Sequence, residues 1–550
     1  MSDLYLVSLS IGPVQDFIAA ARRTSDLFAG SAFLSDITAA AARAFPDPPP
    51  DGEFGIGRVF PCDTGKGGAN KILAIVLNPE ECVARAESQA KQVLLQAWMK
   101  ALDDRENLTQ AQFDALGAHG ERAGAQLRDF LEFYAVWLPV DEPSYARRRG
   151  EVERLLAGRK ALRNFSQTTG DDEGIFNSPL DPSRASVVTG PNQYSVPTVL
   201  QEGPLFLKPS ETLDAISLLK RLNRRAYLDR LREADGPAPH HVPSTRELAQ
   251  RAIEPSFPSA PSPYVNQDMD DHDDPEFVPG FAYFCVLVAD GDHMGELLGK
   301  SRTAGQQRAM SRSLDAFAED ACRIINEHRG VPVYTGGDDV LALLPVTTAL
   351  ACAIELNDAF GRHLEPHAFT VGLKTPTLSA GLAVCHDKEP LSRAIQRAHD
   401  CEAHAKDERH SVAFGVYHRS GEPLRVRQTW EDVAKPTGLA AWVERAQAGR
   451  ISRGLPHALR DLVRTWPSDG QRPDVLDAEI RRVYDHSEPG IPKDEMSTIK
   501  DEGIPRFADV GRRGLAAAGH FADSLIIARF LAGISPDAEA PDRVATGGAS

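Results

Sequence analysis

The chain has 550 residues and a net charge of −17, and 42% of its residues are hydrophobic and 25% charged. This composition is that of a soluble globular protein, and the length predicts three or four domains because a single core does not grow so large. The acidic balance excludes a protein that coats nucleic acid over its whole surface, although it allows local contacts. No apolar run approaches the roughly 20 residues that cross a bilayer, and no signal-type segment opens the chain, so we expect a cytoplasmic protein without membrane contact.

The cysteines are scattered along the chain and contain no Cys-x-x-Cys pair. Several of them fall in predicted core segments, which favours buried free thiols. We therefore expect neither a disulfide framework nor a structural zinc. The seven cysteines are Cys62, Cys82, Cys285, Cys322, Cys352, Cys385 and Cys401.

The amino-terminal segment has a strand pattern over residues 4–9. The strand-to-helix turn lies within Ser10–Phe17, and a helix follows. The backbone N–H groups at such a strand-to-helix turn can hold a phosphate group. The alternative is an ordinary capped connection in which Pro13 opens the helix.

Basic residues form four clusters in the first half of the chain. Each cluster is either a solvated helix face or part of a surface on which RNA or a protein partner docks. The clusters are Arg22-Arg23, Arg147-Arg148-Arg149, Arg159-Lys160 with Arg163, and Lys220-Arg221 with Arg224-Arg225.

A continuous apolar run at Phe281–Ala289 predicts a strand that is buried on both faces. The run ends at Asp290, so a carboxylate lies at the carboxyl end of the strand, where open α/β sheets place their ligands. The alternative role for Asp290 is a helix N-cap. A helix is predicted at Gln306–His328 from its apolar periodicity.

Two strand-like runs within Val333–Leu344 flank the tetrapeptide Gly336-Gly337-Asp338-Asp339, which predicts a β-hairpin with acid groups at its tip. Glycine allows a large anionic ligand to approach the main chain, and adjacent carboxylates repel each other unless a cation lies between them. Such a tip suits divalent-metal handling of a nucleotide triphosphate, whereas the alternative is an ordinary solvated turn. The strand–helix–hairpin order can bring Asp290 beside Asp338 although 48 positions (338 minus 290) separate them, which favours metal chemistry.

The following segments alternate in the same way. Helices are predicted at Thr347–Phe360 and Leu391–Lys406, and strands at Leu378–Cys385 and Phe414–Tyr417. The whole pattern indicates an α+β layer of ferredoxin-like type. Lys406 ends its helix, where it either neutralises a triphosphate or serves the helix terminus itself.

The carboxyl-terminal part, from Trp430 to Gly533, has helical periodicity and no catalytic set, which predicts a docking domain. The acidic, proline-rich segment 255–279 reads as a linker. The last stretch, Ser535–Ser550, is rich in Pro, Ala, Gly and Asp and is expected to be disordered.

Five separated blocks, in order along the chain, resemble the large polymerase/cyclase-like subunit of type III CRISPR effector complexes, in the Cmr branch. The blocks are SIGPVQDFIAAARRTSDLFAGSAFLS, YARRRGEVERLLAGRKALRNF, LKPSETLDAISLLKRL, VADGDHMGELL and YTGGDDVLALLP.

The resemblance implies two ferredoxin-like palm domains and additional helical domains. It divides the chain into an inactive first palm with helical insertions (1–200), a helical region with an acidic linker (201–277), a second palm with the GGDD hairpin (278–420), a helical domain (421–535) and a tail (536–550). Family members bind CRISPR RNA together with other subunits and sense a complementary target RNA. They then make a nucleotide second messenger, cyclic oligoadenylate, from two ATP molecules at the interface of the palms, with Mg²⁺ or Mn²⁺.

Carried onto this chain, the resemblance implies a set of site residues. The implied metal-binding and catalytic residues are Asp290, Asp338 and Asp339. The implied nucleotide-binding residues of the second palm are Gly336, Gly337, Gly291, Asp292, His293, Met294, Gly295 and Lys406. Those of the first palm are Gly12, Pro13 and Gln15. Because successive strand residues point to opposite faces, only one acid of the hairpin can share a metal directly with Asp290, and we expect it to be Asp338.

The chain departs from the family pattern in two places. Many relatives begin with a histidine-aspartate nuclease domain, whereas this chain opens on the palm strand, so we expect no intrinsic single-stranded DNase activity. Many relatives also carry a cysteine-paired zinc site, whereas residues 164–195, with Asp171, Asp172 and Glu173, contain no cysteine and read as a loop without metal.

Three functions remain open at this point. The first is a target-activated cyclase that makes cyclic oligoadenylate. The second is a nucleotidyltransferase with another adenylated product, and the third is a non-catalytic scaffold that binds nucleotide.

Overall fold

The computed structural model describes residues 4–50, 52–64, 70–103, 108–117, 120–162, 176–189, 195–201, 207–223, 242–253, 282–418, 421–467, 472–487, 497–507 and 513–534. Several predictions lie outside these residues. They are the acidic linker at 255–279, the acids Asp171, Asp172 and Glu173, the tail at 536–550, and the basic residues Arg163, Arg224 and Arg225.

The first palm is built on a four-stranded antiparallel sheet in the order β2-β3-β1-β4. Its strands are β1 (Tyr5–Gly12), β2 (Gly57–Phe60), β3 (Lys71–Val76) and β4 (Glu132–Pro139). The helices between them are α1 (Gln15–Ala19), α2 (Thr24–Ala42), α3 (Pro79–Asp103), α4 (Gln110–Gly117) and α5 (Gly120–Arg128), and α6 (Tyr145–Ala161) follows β4. The apolar residues of β1 and β3 pack on α2 and α3 to form the core of this palm.

Short helical segments connect the two sheets. A 3₁₀ turn at Thr198–Leu200 is followed by α7 at 215–223 and by α8 (Thr245–Ile253). Leu218 and Leu219 of α7 are buried in the core of the first palm, so α7 belongs structurally to that palm.

The second palm is built on a six-stranded sheet in the order β10-β9-β8-β5-β7-β6. Its strands are β5 (Tyr283–Gly291), β6 (Val331–Gly336), β7 (Asp339–Pro345), β8 (Leu378–His386), β9 (Ser411–Tyr417) and β10 (Leu424–Thr429). Its helices are α9 (Met294–Lys300), α10 (Ala304–Glu327), α11 (Val346–Thr370) and α12 (Leu391–Lys406). All strand pairs are antiparallel except β8 with β9, which are parallel.

The two sheets share one topology. In each, the first four strands in chain order are arranged 2-3-1-4, which is the ferredoxin-like arrangement that the sequence pattern and the family resemblance predict. The α+β fold with two palm domains is thereby confirmed. By this topology, the end of β1 in the first palm corresponds to the end of β5 in the second.

The predicted elements of the second palm agree closely with the observed ones. The helix predicted at Gln306–His328 is α10, which begins two residues earlier, at Ala304, because Thr303 forms a capping box with Gln306. The helix predicted at Thr347–Phe360 continues to Thr370. All seven cysteines are free thiols, of which six are buried and Cys322 is half-buried.

Contacts between α10 and the first palm join the two palms. The Tyr145 hydroxyl donates to Oε1 of Gln307 at 2.6 Å, and the N–H of Cys62 donates to Oγ of Ser311 at 3.1 Å. Both acceptors lie in the first half of α10, and the same helix leads into β6 and the GGDD hairpin.

The carboxyl-terminal helices pack on the outer side of the second palm. They are α13 (Trp430–Val433), α14 (Leu439–Gln447), α15 (Gly454–Thr465), α16 (Pro473–Ser487), a π-helical turn at Ile499–Gly503, and α17 (Gly514–Leu531). In the described part of the chain, α17 alone is long and apolar enough to cross a membrane. Trp442 is fully buried and packs on Phe521 of α17, and Leu525 of α17 is also fully buried, so α17 is placed as a core helix.

Candidate active site

The acid at the end of β5 faces the acids of the hairpin. β5 pairs with β7 in an antiparallel register that ends at Ala289 opposite Val340. Continuing this register by one residue places Asp290 opposite Asp339 and Gly291 opposite Asp338. Directly opposed residues of an antiparallel pair point to the same face, so Asp339 is the acid that faces Asp290.

This arrangement differs from the expectation that Asp338 faces Asp290. The carboxyls of Asp339 and Asp290 share a hydrogen bond. The side chain of Asp338 leaves on the other face, where its Cβ lies 2.9 Å from the position that a Cβ on Gly291 would take. Any side chain at position 291 would therefore collide with Asp338. The strand register decides the outcome here, and a sequence does not reveal it.

The three carboxylates are close enough to perturb each other. Burial, and then the charge of Asp290, raises the pKa of Asp338 to about 6. Burial, the hydrogen bond to Asp290 and the charge of Asp338 also raise the pKa of Asp339. Carboxylates that lie close together in a buried site disfavour each other's ionised forms.

Lys406 supplies a positive charge to the same site. Its Nζ lies 2.5 Å from Oδ2 of Asp290 and 2.9 Å from Oε1 of Glu402. Burial lowers the pKa of Lys406, but the hydrogen bonds to Asp290 and Glu402 outweigh this effect and raise it to about 12. The lysine at the end of α12 is therefore part of the site and does more than stabilise its own helix terminus.

The donor set suits a hard divalent cation. Carboxylate oxygens are the ligands that Mg²⁺ and Mn²⁺ prefer, and the raised pKa values of Asp338 and Asp339 indicate negative charge that lacks compensation. With the side chains as they stand, no group of three or more such ligands among the described residues is arranged around a common point. Asp290 is engaged by Lys406 and Asp339, and Asp338 lies on the opposite face.

Tyr334 covers the tip of the hairpin. A Cβ on Gly336 would lie 2.2 Å from the Tyr334 hydroxyl, and Gly337 has a φ of +72°, which side-chain-bearing residues rarely adopt. Burial, and then the charges of Asp339 and Asp338, raise the pKa of Tyr334. Both glycines are thus required by the backbone and by close packing. Their predicted part in letting a nucleotide approach remains a prediction.

The segment after Asp290 is predicted to surround the triphosphate, and the side chain of Asp292 has a structural role there. The Asp292 carboxylate is buried and accepts hydrogen bonds from the hydroxyls of Thr377 (2.9 Å) and Ser379 (2.7 Å) and from the N–H of His410 (2.9 Å). A carboxylate with three donors is already satisfied and joins β5 to β8 and the loop after α12.

The other residues of that segment differ in exposure. His293 is exposed with a φ of 60° and precedes α9, Met294 is buried, and Gly295 has open space around it. Their predicted contact with a triphosphate is not tested by these positions.

A cleft of about 460 Å³ lies between the two palms, a volume in the range of small-molecule sites. The second palm lines it with Asp290, Tyr334, Asp339, His399, Glu402 and Lys406. The first palm lines it with Gly12, Pro13, Gln15, Asp16, Glu132 and Lys160. The structure therefore brings the predicted residues of the first palm and two of the three predicted acids to one cavity.

The cleft has an acidic part and an apolar part. Five carboxylates (Asp16, Glu132, Asp290, Asp339 and Glu402) line it together with two lysines, Lys160 and Lys406. Its apolar lining comes from Ile11, Ile18, Val288, Leu341 and Ile395. A base fits an apolar wall, whereas a polyphosphate requires cations beyond the two lysines.

Family models match two parts of this chain. Residues 283–413 match the model described as Cas10/Cmr2, second palm domain, and residues 6–62 match the model described as CRISPR-associated protein Cmr2, N-terminal. These two parts of the chain are therefore similar to the corresponding domains of the Cas10/Cmr2 family. The match to the second palm begins at the first residue of β5 and ends within β9, so it contains Asp290, the GGDD hairpin and Lys406.

A curated relative matches part of the chain. It is 31% identical over 218 residues to the CRISPR system Cmr subunit Cmr2 of Pyrococcus furiosus, which is 34% of this chain and 25% of that protein. The aligned part therefore spans about a quarter of the relative's length.

Two solved structures share the fold of this chain. It resembles a chain of the type III-B Cmr-beta complex in its apo state, with a TM-score of 0.61, 12% identity and coverage of 97% of this chain and 82% of that chain. The complex bound to cognate target RNA gives a TM-score of 0.63, again at 12% identity, with coverage of 97% and 83%.

Several residues of the cleft escaped the sequence analysis. Tyr334 reads as an ordinary strand residue, and His399 and Glu402 read as surface positions of a helix. All three line the cleft, and burial lowers the pKa of His399. Glu402 and Lys406 are four residues apart on α12, so this i,i+4 spacing was the signal available for Glu402.

Proposed function

We propose that this chain is a metal-dependent nucleotidyltransferase that joins ATP into cyclic oligoadenylate when an RNA-guided type III (Cmr) effector complex meets its target RNA. The observation that carries the proposal is the placement of Asp290 opposite Asp339, in a cleft that both palms line. A structural hairpin has no need for opposed acids, because they destabilise the fold unless a cation or a proton lies between them.

The residues of the cleft would have different roles in this reaction. Asp290, Asp338 and Asp339 would hold Mg²⁺ or Mn²⁺. When bound, the cation promotes attack by a ribose 3′-hydroxyl and neutralises charge on the departing pyrophosphate. Lys406 lies within reach of a phosphate that displaces it from Asp290, and Gly336 and Gly337 leave the backbone of the tip accessible.

The first palm would receive the second ATP. Gly12, Pro13 and Gln15 line the cleft opposite the acids, and a Cβ on Gly12 would come within 3.4 Å of Oε2 of Glu132. A bulkier residue would push against that carboxylate and narrow the cleft. The two palms would then present two nucleotides to each other, as joining ATP to ATP requires.

The similarity of both matched parts to Cas10/Cmr2 domains supports the proposed partners. They are CRISPR RNA, target RNA and the other Cmr subunits, and the similarity in fold to a chain of the Cmr-beta complex bound to cognate target RNA is consistent with them. The carboxyl-terminal helices α14–α17 would serve as a docking domain, and the protein would act in the cytoplasm.

The test is product analysis of the reconstituted complex. The complex is incubated with ATP, Mg²⁺ and matching or mismatched target RNA, and the products are identified by mass spectrometry. We expect cyclic oligoadenylate with matching RNA only, and none when Asp290→Asn replaces the wild-type subunit. A linear or otherwise adenylated product would favour a different nucleotidyltransferase, and bound but unchanged ATP would favour a scaffold.

A further inference from the structure

The helix that lines the first-palm side of the cleft is too short to be stable by itself. α1 has five residues, whereas isolated helices need about 12–15 residues to persist in water. Yet α1 and its ends carry Gln15, Asp16, Ile18 and Ala19 into the cleft. Contacts elsewhere in the palm must therefore fix its place.

A buried lysine provides the principal polar contact. Lys220 of α7 is 1% exposed, and its Nζ donates hydrogen bonds to the carbonyl oxygens of Phe17 and Ala20, the latter at 2.9 Å. The ammonium also lies 4.2 Å from the centre of the Phe17 ring. These carbonyls are at the carboxyl end of α1, where a helix leaves its acceptors unpaired and favours a positive charge.

The lysine reaches α1 through a gap in α2. A Cβ on Gly30, in the interior of α2, would lie 2.9 Å from Cε and 3.3 Å from Nζ of Lys220. Glycine weakens a helix interior, so its presence here is explained by the passage of the lysine stem. Lys220, α2 and α1 are thus fitted to each other.

The neighbouring residue fixes α7 against the same helix. Arg221 is 2% exposed, and its Nε and Nη2 donate to Oδ1 and Oδ2 of Asp26 in α2 at 2.8 and 2.7 Å. Nη2 also contacts Oε1 of Glu211 at 3.0 Å. This charge-paired arginine holds α7 in register on α2, and Lys220 extends from that fixed base to α1.

We propose that Lys220 is a positioning residue for the nucleotide bound on the first-palm side. Its side chain passes beside Gly30 and holds the carboxyl end of α1. The proposal rests on the proposed function, since it assigns α1 to a substrate. Lys220 does not line the cleft, so it acts by holding Gln15 and Ile18 in position. It does not contact the acids of the second palm, so the metal-bound nucleotide is not its target.

The test separates substrate binding from turnover. Initial rates of product formation by the reconstituted complex are measured against ATP concentration for wild type and for Lys220→Met, which keeps an unbranched stem but loses the ammonium. We expect the KM for ATP to rise roughly tenfold, because the binding surface of α1 loses the charged hydrogen bonds that hold it, and one such bond corresponds to a change of about tenfold. The kcat at saturating ATP should stay within about twofold.

A second variant disrupts the contact between Lys220 and α1 by changing Gly30. Gly30→Ala keeps every hydrogen-bonding group but fills the gap, so it should raise KM in the same direction. The double variant should not exceed the larger single effect, because both changes break one contact. Gly150→Ala is the matched control: it is also a glycine within a helix, but an added Cβ would meet nothing within 4 Å, and KM should not change.

Amide hydrogen exchange measured by mass spectrometry supplies a readout that needs no activity. Peptides covering residues 15–21 should exchange faster in Lys220→Met and in Gly30→Ala, with the β5–β7 peptides unchanged. An unchanged KM in both variants, or loss of protection throughout the first palm, would overturn the positioning role. A wild-type complex that makes no product would instead overturn the proposed function, which this experiment reports separately.

Discussion

Replacing Asp338 with Asn should stabilise the metal-free protein. Burial and the charge of Asp290 raise the pKa of Asp338 from 3.8 to about 6, so the folded protein holds this proton more tightly than the unfolded chain does. Ionising this group lowers the free energy of unfolding. The loss is absent at pH values below the pKa of the group in the unfolded chain and complete at pH values above its pKa in the folded protein. At 1.36 kcal/mol per pKa unit, it amounts to about 3 kcal/mol at pH 8 and about half as much at pH 5.

The assay is denaturant unfolding with a chelator, followed by circular dichroism. In EDTA, the free energy of unfolding of Asp338→Asn should exceed that of wild type by up to about 3 kcal/mol at pH 8 and by about half as much at pH 5. Added Mg²⁺ should stabilise wild type, because it binds the folded state, but not the variant. Wild type at least as stable as the variant in EDTA at pH 8, or equal stabilisation of both by Mg²⁺, would refute the reasoning.

Asp320→Asn is the matched control of opposite sign. Hydrogen bonds from His363 and then Arg323 lower the pKa of Asp320, and its side chain is 27% exposed. Its ionised form therefore favours folding, and this contribution is present above the ordinary pKa and lost as the pH falls. Removing that charge should leave stability unchanged or lower at pH 8, and Mg²⁺ should stabilise this variant as it does wild type.

Four further substitutions separate the roles of neighbouring residues. Asp338→Ala should abolish ATP turnover while the complex still assembles on its RNA, which gel filtration and product assays check together; lost assembly would make the hairpin structural. Gly336→Ala should reduce turnover more than Gly337→Ala, because an added Cβ meets the Tyr334 hydroxyl at position 336 and open space at 337, where backbone strain costs about 1 kcal/mol; equal rates would contradict the packing argument. Asp292→Asn should lower stability by roughly 1–3 kcal/mol in thermal unfolding, because an NH2 group that cannot accept replaces one of the two buried oxygens that accept three hydrogen bonds. An effect on the KM for ATP at unchanged stability would support its predicted role at the triphosphate.

Local patterns were enough to predict most of the second palm. The apolar run before Asp290, the periodicity of α10 and the glycines of the hairpin are each encoded within a short segment. Leu391–Lys406 was predicted with the bounds that the structure has for α12. The predicted ferredoxin-like order followed from the succession of these elements.

Features that depend on register or on distant contacts were not accessible. Whether Asp338 or Asp339 faces Asp290 depends on how β7 pairs with β5, and one residue of slip reverses the answer. The three hydrogen bonds that engage Asp292 come from residues more than 80 positions away. The cleft itself requires the two palms to be in contact, which no segment encodes alone.

The central claim is that the acids of β5 and the hairpin bind a divalent cation that carries ATP. Anomalous scattering from Mn²⁺ in crystals soaked with a non-hydrolysable ATP analogue tests it most directly. We predict a peak within about 2.0–2.6 Å of carboxylate oxygens of Asp290 and of Asp338 or Asp339, with the analogue's phosphates beside it. A peak elsewhere, or bound analogue with no metal at these acids, would contradict the account.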